Sequence, residues 1–164
     1  MKKFTDLKPI RKVNDDSKYF KPKQREYTPI LEAEKPKTGP VAFFSKIFES
    51  KELAHVYHLQ VKGDMGSLAK HQALQDYYEG ILGPLDDLIE LYQGQFGKIL
   101  QGYDIIDTTK NAKTDTIEYF TDLADFIKKE RYKCFDKDDT HYFNIIDDVL
   151  VLIYKLLYRL KFTK

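Results

Sequence analysis

Two histidines and two carboxylates in one part of the chain are the residues best suited to chemistry. His58 and His71 lie on either side of a glycine-containing corner, and Asp86 and Glu90 follow later. Residues four apart share one face of a helix, so the two carboxylates should lie together. Imidazole nitrogen and carboxylate oxygen are ligands that iron and zinc accept. The pattern predicts a candidate metal site, with ordinary packing and surface roles as the alternative.

The two histidines and the two carboxylates cannot reach one metal ion within a single chain. Asp86 lies fifteen residues after His71 on the same predicted helix. At a rise of about 1.5 Å per residue, the two pairs are more than about 20 Å apart. Antiparallel contact between two copies of this helix would bring the histidines of one subunit to the carboxylates of the other. We therefore expect any such site to be shared between subunits.

Four stretches of helical periodicity must position these residues. They are helix A from Val41 to Gln60, helix B from Ser67 to Gln93, helix C from Asp115 to Cys134, and helix D from Thr140 to Phe162. The apolar stripe of helix A passes through His55 and His58, which predicts that both face inward or toward an interface. With no period-2 pattern anywhere, the fold class is all-α, a four-helix bundle.

Local signals set the expected ends of these helices. Ser67 is a suitable N-cap for helix B, and Gly94 is a suitable terminator. Asp115 with Glu118 resembles a capping box at the start of helix C. Pro84 should kink helix B, because proline removes a backbone donor.

The connection between helices B and C, residues 95–114, is long. It has enough apolar residues between Phe96 and Ile106 for a short extra helix. A connection of this length allows the chain to cross the bundle instead of forming a tight hairpin.

Residues 1–40 predict an extended arm that precedes the bundle domain, 41–164. Five of the six prolines lie there, and eleven basic against six acidic residues give the arm a net charge of 11 − 6 = +5. A basic segment with interspersed aromatic residues can bind DNA through phosphate contacts and base stacking. A solvated linker, or a strap over a neighbouring subunit, is the alternative. The candidate DNA-binding residues are Lys2, Lys3, Lys8, Arg11, Lys12, Lys18, Lys21, Lys23 and Arg25.

Composition excludes several other classes of protein. The chain has 164 residues, a formal net charge of only +1 and a single cysteine, Cys134, so it is no polycation and forms no intramolecular disulfide. There is no signal-peptide pattern and no apolar run long enough for a membrane span, so we expect a cytoplasmic protein. Phosphate-binding and dinucleotide-binding glycine loops are absent from the sequence, as is a nucleophilic serine motif.

The stretch 50–94 resembles the Dps family of ferritin-like, DNA-binding proteins. The resemblance rests on His58-Leu-Gln-Val61-Lys-Gly63, then His71, Asp86 and Glu90. His55 matches a histidine seen in some members. The family has an aspartate four residues after the second histidine, where this chain has Gln75, with Asp76 next to it. The resemblance implies a ferritin-like bundle and iron bound between subunits. It also implies a homo-oligomer, at least a dimer and up to a dodecamer, that protects DNA.

Two functions follow as expectations. The first is an iron-oxidising mini-ferritin with His58, His71, Asp86 and Glu90 as ligands, and with His55 and Asp76 as further candidates. The second is a catalytically silent assembly protein whose arm straps neighbouring subunits or partners, for example in a phage or its virion. The excess of lysine over arginine, 23 against 4, hints at an AT-rich genome of a phage or its bacterial host.

Overall fold

The computed structural model describes residues 39–63, 67–104 and 115–163, and every regular element in these ranges is an α-helix. This confirms the predicted all-α class. Within these ranges, none of the helices is long and apolar enough to cross a membrane. The helices are α1 (Pro40–Leu59), α2 (Ser67–Gly80), α3 (Leu82–Phe96), α4 (Thr116–Cys134) and α5 (Thr140–Phe162).

The starts of α1 and α4 have clear local causes. Gly39 precedes α1 with φ 112°, a backbone angle that favours glycine, and Pro40 occupies the first turn, where no amide donor is needed. α1 therefore begins one residue inside the predicted arm, whose residues 1–38 lie outside the described part. At α4, the Asp115 carboxylate accepts hydrogen bonds from the backbone N–H groups of Ile117 and Glu118 at 2.9 and 3.1 Å.

The predicted helix B is divided into α2 and α3 at Ile81. Pro84 has no amide hydrogen to donate to the carbonyl of Gly80, which leaves one position of the helical ladder empty. The helical bonds continue on either side, from the Ile81 N–H to the Tyr77 carbonyl at 3.0 Å and from the Leu85 N–H to the Ile81 carbonyl at 3.2 Å. The break expected from the proline is thus present, about one turn earlier than predicted.

Three details of the predicted boundaries are wrong or only partly described. α3 continues past Gly94 to Phe96, and it is Gly97, at φ 59°, that ends it in the left-handed conformation. Ser67 is the first described residue of α2, and residues 64–66 lie outside the described part, so its predicted role as the N-cap stays a prediction. The short helix expected between Phe96 and Ile106 is absent from residues 98–104, and its remainder lies outside the described residues.

Aromatic contacts at one end of the bundle establish the direction of the helices. Phe44, in the second turn of α1, contacts Tyr92 near the end of α3, with ring centroids 5.9 Å apart. Phe135, which follows α4, stacks on Tyr142 at the start of α5 at 4.7 Å. Tyr92 and Tyr142 are 6.3 Å apart, so all four rings lie at the same end. α3 and α4 both finish there and therefore run parallel to each other.

The connection from α3 to α4 consequently returns along the length of the bundle. At the opposite end, Tyr57 in the last turn of α1 lies 6.2 Å from Tyr119 in the first turn of α4. α1 packs on α2, α3 and α4, and α5 packs on the same three helices. α1 and α5 therefore lie on one diagonal of the bundle. The long connection joins α3 and α4, which lie on the other diagonal.

Two buried tyrosines differ in how their hydroxyl groups are satisfied. Ser50 Oγ donates to the Ile47 carbonyl at 2.6 Å and accepts from the Tyr77 hydroxyl at 2.8 Å. The Tyr119 hydroxyl is also buried but has no hydrogen-bond partner among the described residues. Burial raises the pKa of both phenols above their ordinary range.

We expect Ser50→Ala and Tyr119→Phe to have different effects on stability. Ser50→Ala leaves the buried Tyr77 hydroxyl without its hydrogen-bond partner, so the free energy of unfolding should fall by about 1–3 kcal/mol. Tyr119→Phe removes a buried polar group that has no partner, so the free energy of unfolding should stay constant or rise by up to about 1 kcal/mol. Urea denaturation of the two variants and the parent protein measures both effects. An equal loss of stability in both variants would contradict the assignment.

We further expect the free energy of unfolding to fall in alkaline solution. Tyr77 and Tyr119 keep their protons in the folded chain, whereas in the unfolded chain they ionise near their ordinary pKa of 10.0. Burial also raises the pKa of Cys134 from 9.0 to about 11. The unfolded state therefore binds fewer protons, and stability present below pH 9 is lost as the pH rises.

Denaturation at a series of pH values from 8 to 11 tests this, with Tyr119→Phe as the matched variant. Each ionising group contributes a slope of at most about 1.4 kcal/mol per pH unit. The variant lacks one such group and should show a shallower decline. A decline of equal steepness in both proteins would show that Tyr119 does not contribute.

Candidate metal site

His58 and His71 are in direct contact at the corner between α1 and α2. His58 lies in the last turn of α1, and His71 lies in the second turn of α2. Their rings stack with centroids 3.6 Å apart and an interplanar angle of 28°. His58 is buried, with 8% of its surface exposed, and His71 is half-buried. The tight corner thus brings together the two imidazoles that the sequence pattern singled out.

Each of these two rings donates a hydrogen bond to the backbone of the other residue. His58 Nδ1 lies 3.0 Å from the His71 carbonyl oxygen, and His71 Nδ1 lies 3.3 Å from the His58 carbonyl oxygen. A carbonyl oxygen can only accept, so both Nδ1 atoms carry hydrogen. In the neutral rings the lone pair is then on Nε2. A histidine whose other ring nitrogen donates to a carbonyl has the arrangement typical of metal-binding imidazoles.

A third histidine and a tyrosine surround this pair. The ring of Tyr78, on α2, lies edge-on to His58 at 5.4 Å and close to His55 at 4.6 Å. His55 itself is exposed, with its ring centroid 6.1 Å from that of His58. Of the two orientations predicted for His55, inward or toward an interface, the described chain excludes the first, because Ala54 and His58 occupy the buried face of this part of α1. The second stays a prediction.

Asp86 and Glu90 lie elsewhere, on the exposed side of α3. Both line a groove of about 520 Å³, as their spacing of one helical turn predicts. Asp104, from the long connection, lines the same groove, and its backbone N–H donates to Ser45 Oγ on α1 at 3.0 Å. No local pattern in the sequence indicates Asp104, because its position depends on how the connection packs across the bundle.

Within the described residues, no three His, Cys, Asp or Glu side chains lie close enough together to hold a metal ion. The histidine pair and the carboxylate pair are thus separate within one chain, in agreement with the distance expected from the helical rise. Nitrogen donors at one place and oxygen donors at another form a complete ligand set only if a second chain contributes to each.

Asp76 does not join either group. Its carboxylate forms an ion pair with Arg159 on α5. Asp76 lies five residues past His71, which places it about 140° away around the helix. In the family that the sequence resembles, an aspartate stands at the position of Gln75. In this chain Gln75 donates a hydrogen bond to Glu79 at 2.8 Å. Within the described chain Asp76 thus pairs with α5, and its role as a further ligand stays a prediction.

The nine candidate DNA-binding residues of the arm lie outside the described residues. DNA binding through Lys2, Lys3, Lys8, Arg11, Lys12, Lys18, Lys21, Lys23 and Arg25 stays a prediction.

A protein-family model matches residues 58–160, which begins at His58 and includes all of α2, α3 and α4 and most of α5. His71, Asp86 and Glu90 lie within the match, whereas His55 and the arm precede it. Neither a curated protein nor a solved structure matches the chain. Because the match extends over more than half of the sequence, the chain belongs to DUF5856, a family of unknown function.

Proposed function

We propose that this protein is a Dps-like mini-ferritin that binds and oxidises iron at a site shared between two copies of the chain. The observation that carries the proposal is the pair of Nδ1–carbonyl hydrogen bonds between His58 and His71. These bonds orient both rings and leave both Nε2 atoms as donors for a metal.

The direction of the helices supports a ferritin-like bundle as the scaffold. α3 and α4 run parallel and are joined by a long connection, and α1 and α5 form the other diagonal. A four-helix bundle with one long crossover is the arrangement of ferritin-like folds.

The surface beside the histidines supports a second copy as the source of the remaining ligands. Leu59 and Leu68 are 70% and 67% exposed, and each is within three residues of one of the two histidines. Exposed apolar side chains at one place indicate a surface that another protein covers. A two-fold axis about midway between this corner and the carboxylates of α3 would bring Asp86 and Glu90 of each copy to the histidines of the other.

The ligand types suit iron as the substrate. Neutral imidazole nitrogens accept Fe(II), and the carboxylates of Asp86 and Glu90 provide negative charge that favours the more highly charged Fe(III) product. Each Fe(II) ion gives up one electron. A peroxide molecule that takes two electrons and two protons leaves as two water molecules.

A catalytically silent assembly protein is the second candidate function, and the same hydrogen bonds favour it. Two reciprocal bonds between the end of α1 and the start of α2 clamp the corner without any metal. In that case the histidines stabilise the fold, and iron has no effect on the protein.

A mixing experiment distinguishes the two functions. We expect His58→Ala/His71→Ala and Asp86→Asn/Glu90→Gln each to abolish Fe(II) oxidation, measured by the rise in Fe(III) absorbance with peroxide. Co-refolding the two variants in equal amounts should restore about a quarter of the wild-type sites, because each mixed dimer contains one complete site. Recovery on mixing is specific to a site shared between chains.

Two controls belong to this experiment. His141→Ala and Asp87→Asn remove an exposed imidazole and an exposed carboxylate of the same types outside the proposed ligand set, and both should oxidise iron at the parent rate. Iron oxidation that survives in both double variants would refute the metal site. Loss of folding in the histidine variant, with no iron bound by the parent protein, would favour the clamp.

A further inference from the structure

The exposed face of α5 differs in polarity between the first and the second half of the helix. In the second half, four large apolar residues at helical spacing lie on one face and are 45% to 71% exposed: Val151, Tyr154, Tyr158 and Phe162. This strip lies between two grooves, one of about 530 Å³ beside α2 and one of about 340 Å³ beside α4. An apolar ridge of this kind on a bundle surface indicates a protein contact.

The charges on the same face are also divided between the two halves. Asp147 and Asp148 lie in the first half, and Lys155 and Lys161 lie in the second, all exposed. Neither lysine forms an ion pair within the described part of the chain. The face is therefore acidic at one end and basic, with the aromatic residues, at the other.

We propose that this face binds a second copy of the chain, with the two α5 helices antiparallel and Tyr154 at the two-fold axis. Asp147 and Lys161 are each seven residues from Tyr154, so both lie about 10 Å from the axis along the helix. Reversing the second helix places Asp147 of each copy opposite Lys161 of the other. A parallel pair would instead oppose like charges.

The carboxylate of Asp147 can form a second ion pair, with Lys161 of the other copy. Its Oδ1 accepts from Arg131 Nη1 at 2.6 Å on α4, yet 62% of the Asp147 side chain stays exposed. A carboxylate has two oxygens and can accept from two cations at once. The apolar strip supplies the buried centre of the contact, and the two ion pairs at its ends set the direction of the helices.

This contact is independent of the proposed metal site. α5 is diagonal to α1, so the strip faces away from the corner that holds His58 and His71. A chain with two separate self-contacts builds an assembly larger than a dimer.

Charge reversal tests the contact in the full chain. We expect Asp147→Lys alone and Lys161→Glu alone to weaken self-association by about tenfold or more, because each variant opposes like charges at both ends. An equal mixture of the two should recover the wild-type particle mass in analytical ultracentrifugation, because every pair at the contact is then Lys–Asp or Lys–Glu. Circular dichroism checks that each variant is folded.

Disulfide trapping gives a second measurement that does not depend on charge. In a Cys134→Ser background, Tyr154→Cys should form a disulfide between copies on oxidation, because this position meets itself at the axis. Asn144→Cys, exposed on the same helix but about 15 Å from the axis, should not. Three results would each overturn the proposal. They are a wild-type particle mass equal to that of Lys161→Glu, no recovery of the mass on mixing, and equal crosslinking at both positions.

Discussion

The reciprocal hydrogen bonds between His58 and His71 are the interaction on which the corner between α1 and α2, and the metal site proposed there, depend. They connect the end of α1 to the start of α2, where the chain reverses direction. They also decide which nitrogen of each ring carries hydrogen, and therefore which nitrogen can bind a metal. One pair of contacts thus sets both the geometry of the corner and its chemistry.

The bundle keeps the two kinds of ligand apart. Helical rise alone separates the histidine corner from the carboxylates of α3, and α3 carries those carboxylates on its exposed side. A single chain therefore presents nitrogen donors and oxygen donors on different parts of its surface. The leucines near the corner and the aromatic strip on α5 are exposed in the described chain, and the two proposed self-contacts rest on them.

Much of the fold was predictable because helices depend on local interactions. The four periodic stretches, the break caused by Pro84 and the cap at Asp115 all appear in the structure within a turn of their expected places. The sequence did not show which partners come from elsewhere in the chain. Arg159 on α5 forms an ion pair with Asp76, and His55 is exposed on α1, which leaves only the interface among its two predicted orientations.

The sequence by itself determined the spacing along each helix, and with it the separation of the histidine pair from the carboxylate pair, because backbone hydrogen bonds set a constant rise per residue. Only the tertiary structure decided which side chains meet across helices. The stacking of His58 on His71, the arrival of Asp104 beside Asp86, and the parallel course of α3 and α4 all arise from packing of distant segments. Such contacts depend on the whole core, which no local pattern specifies.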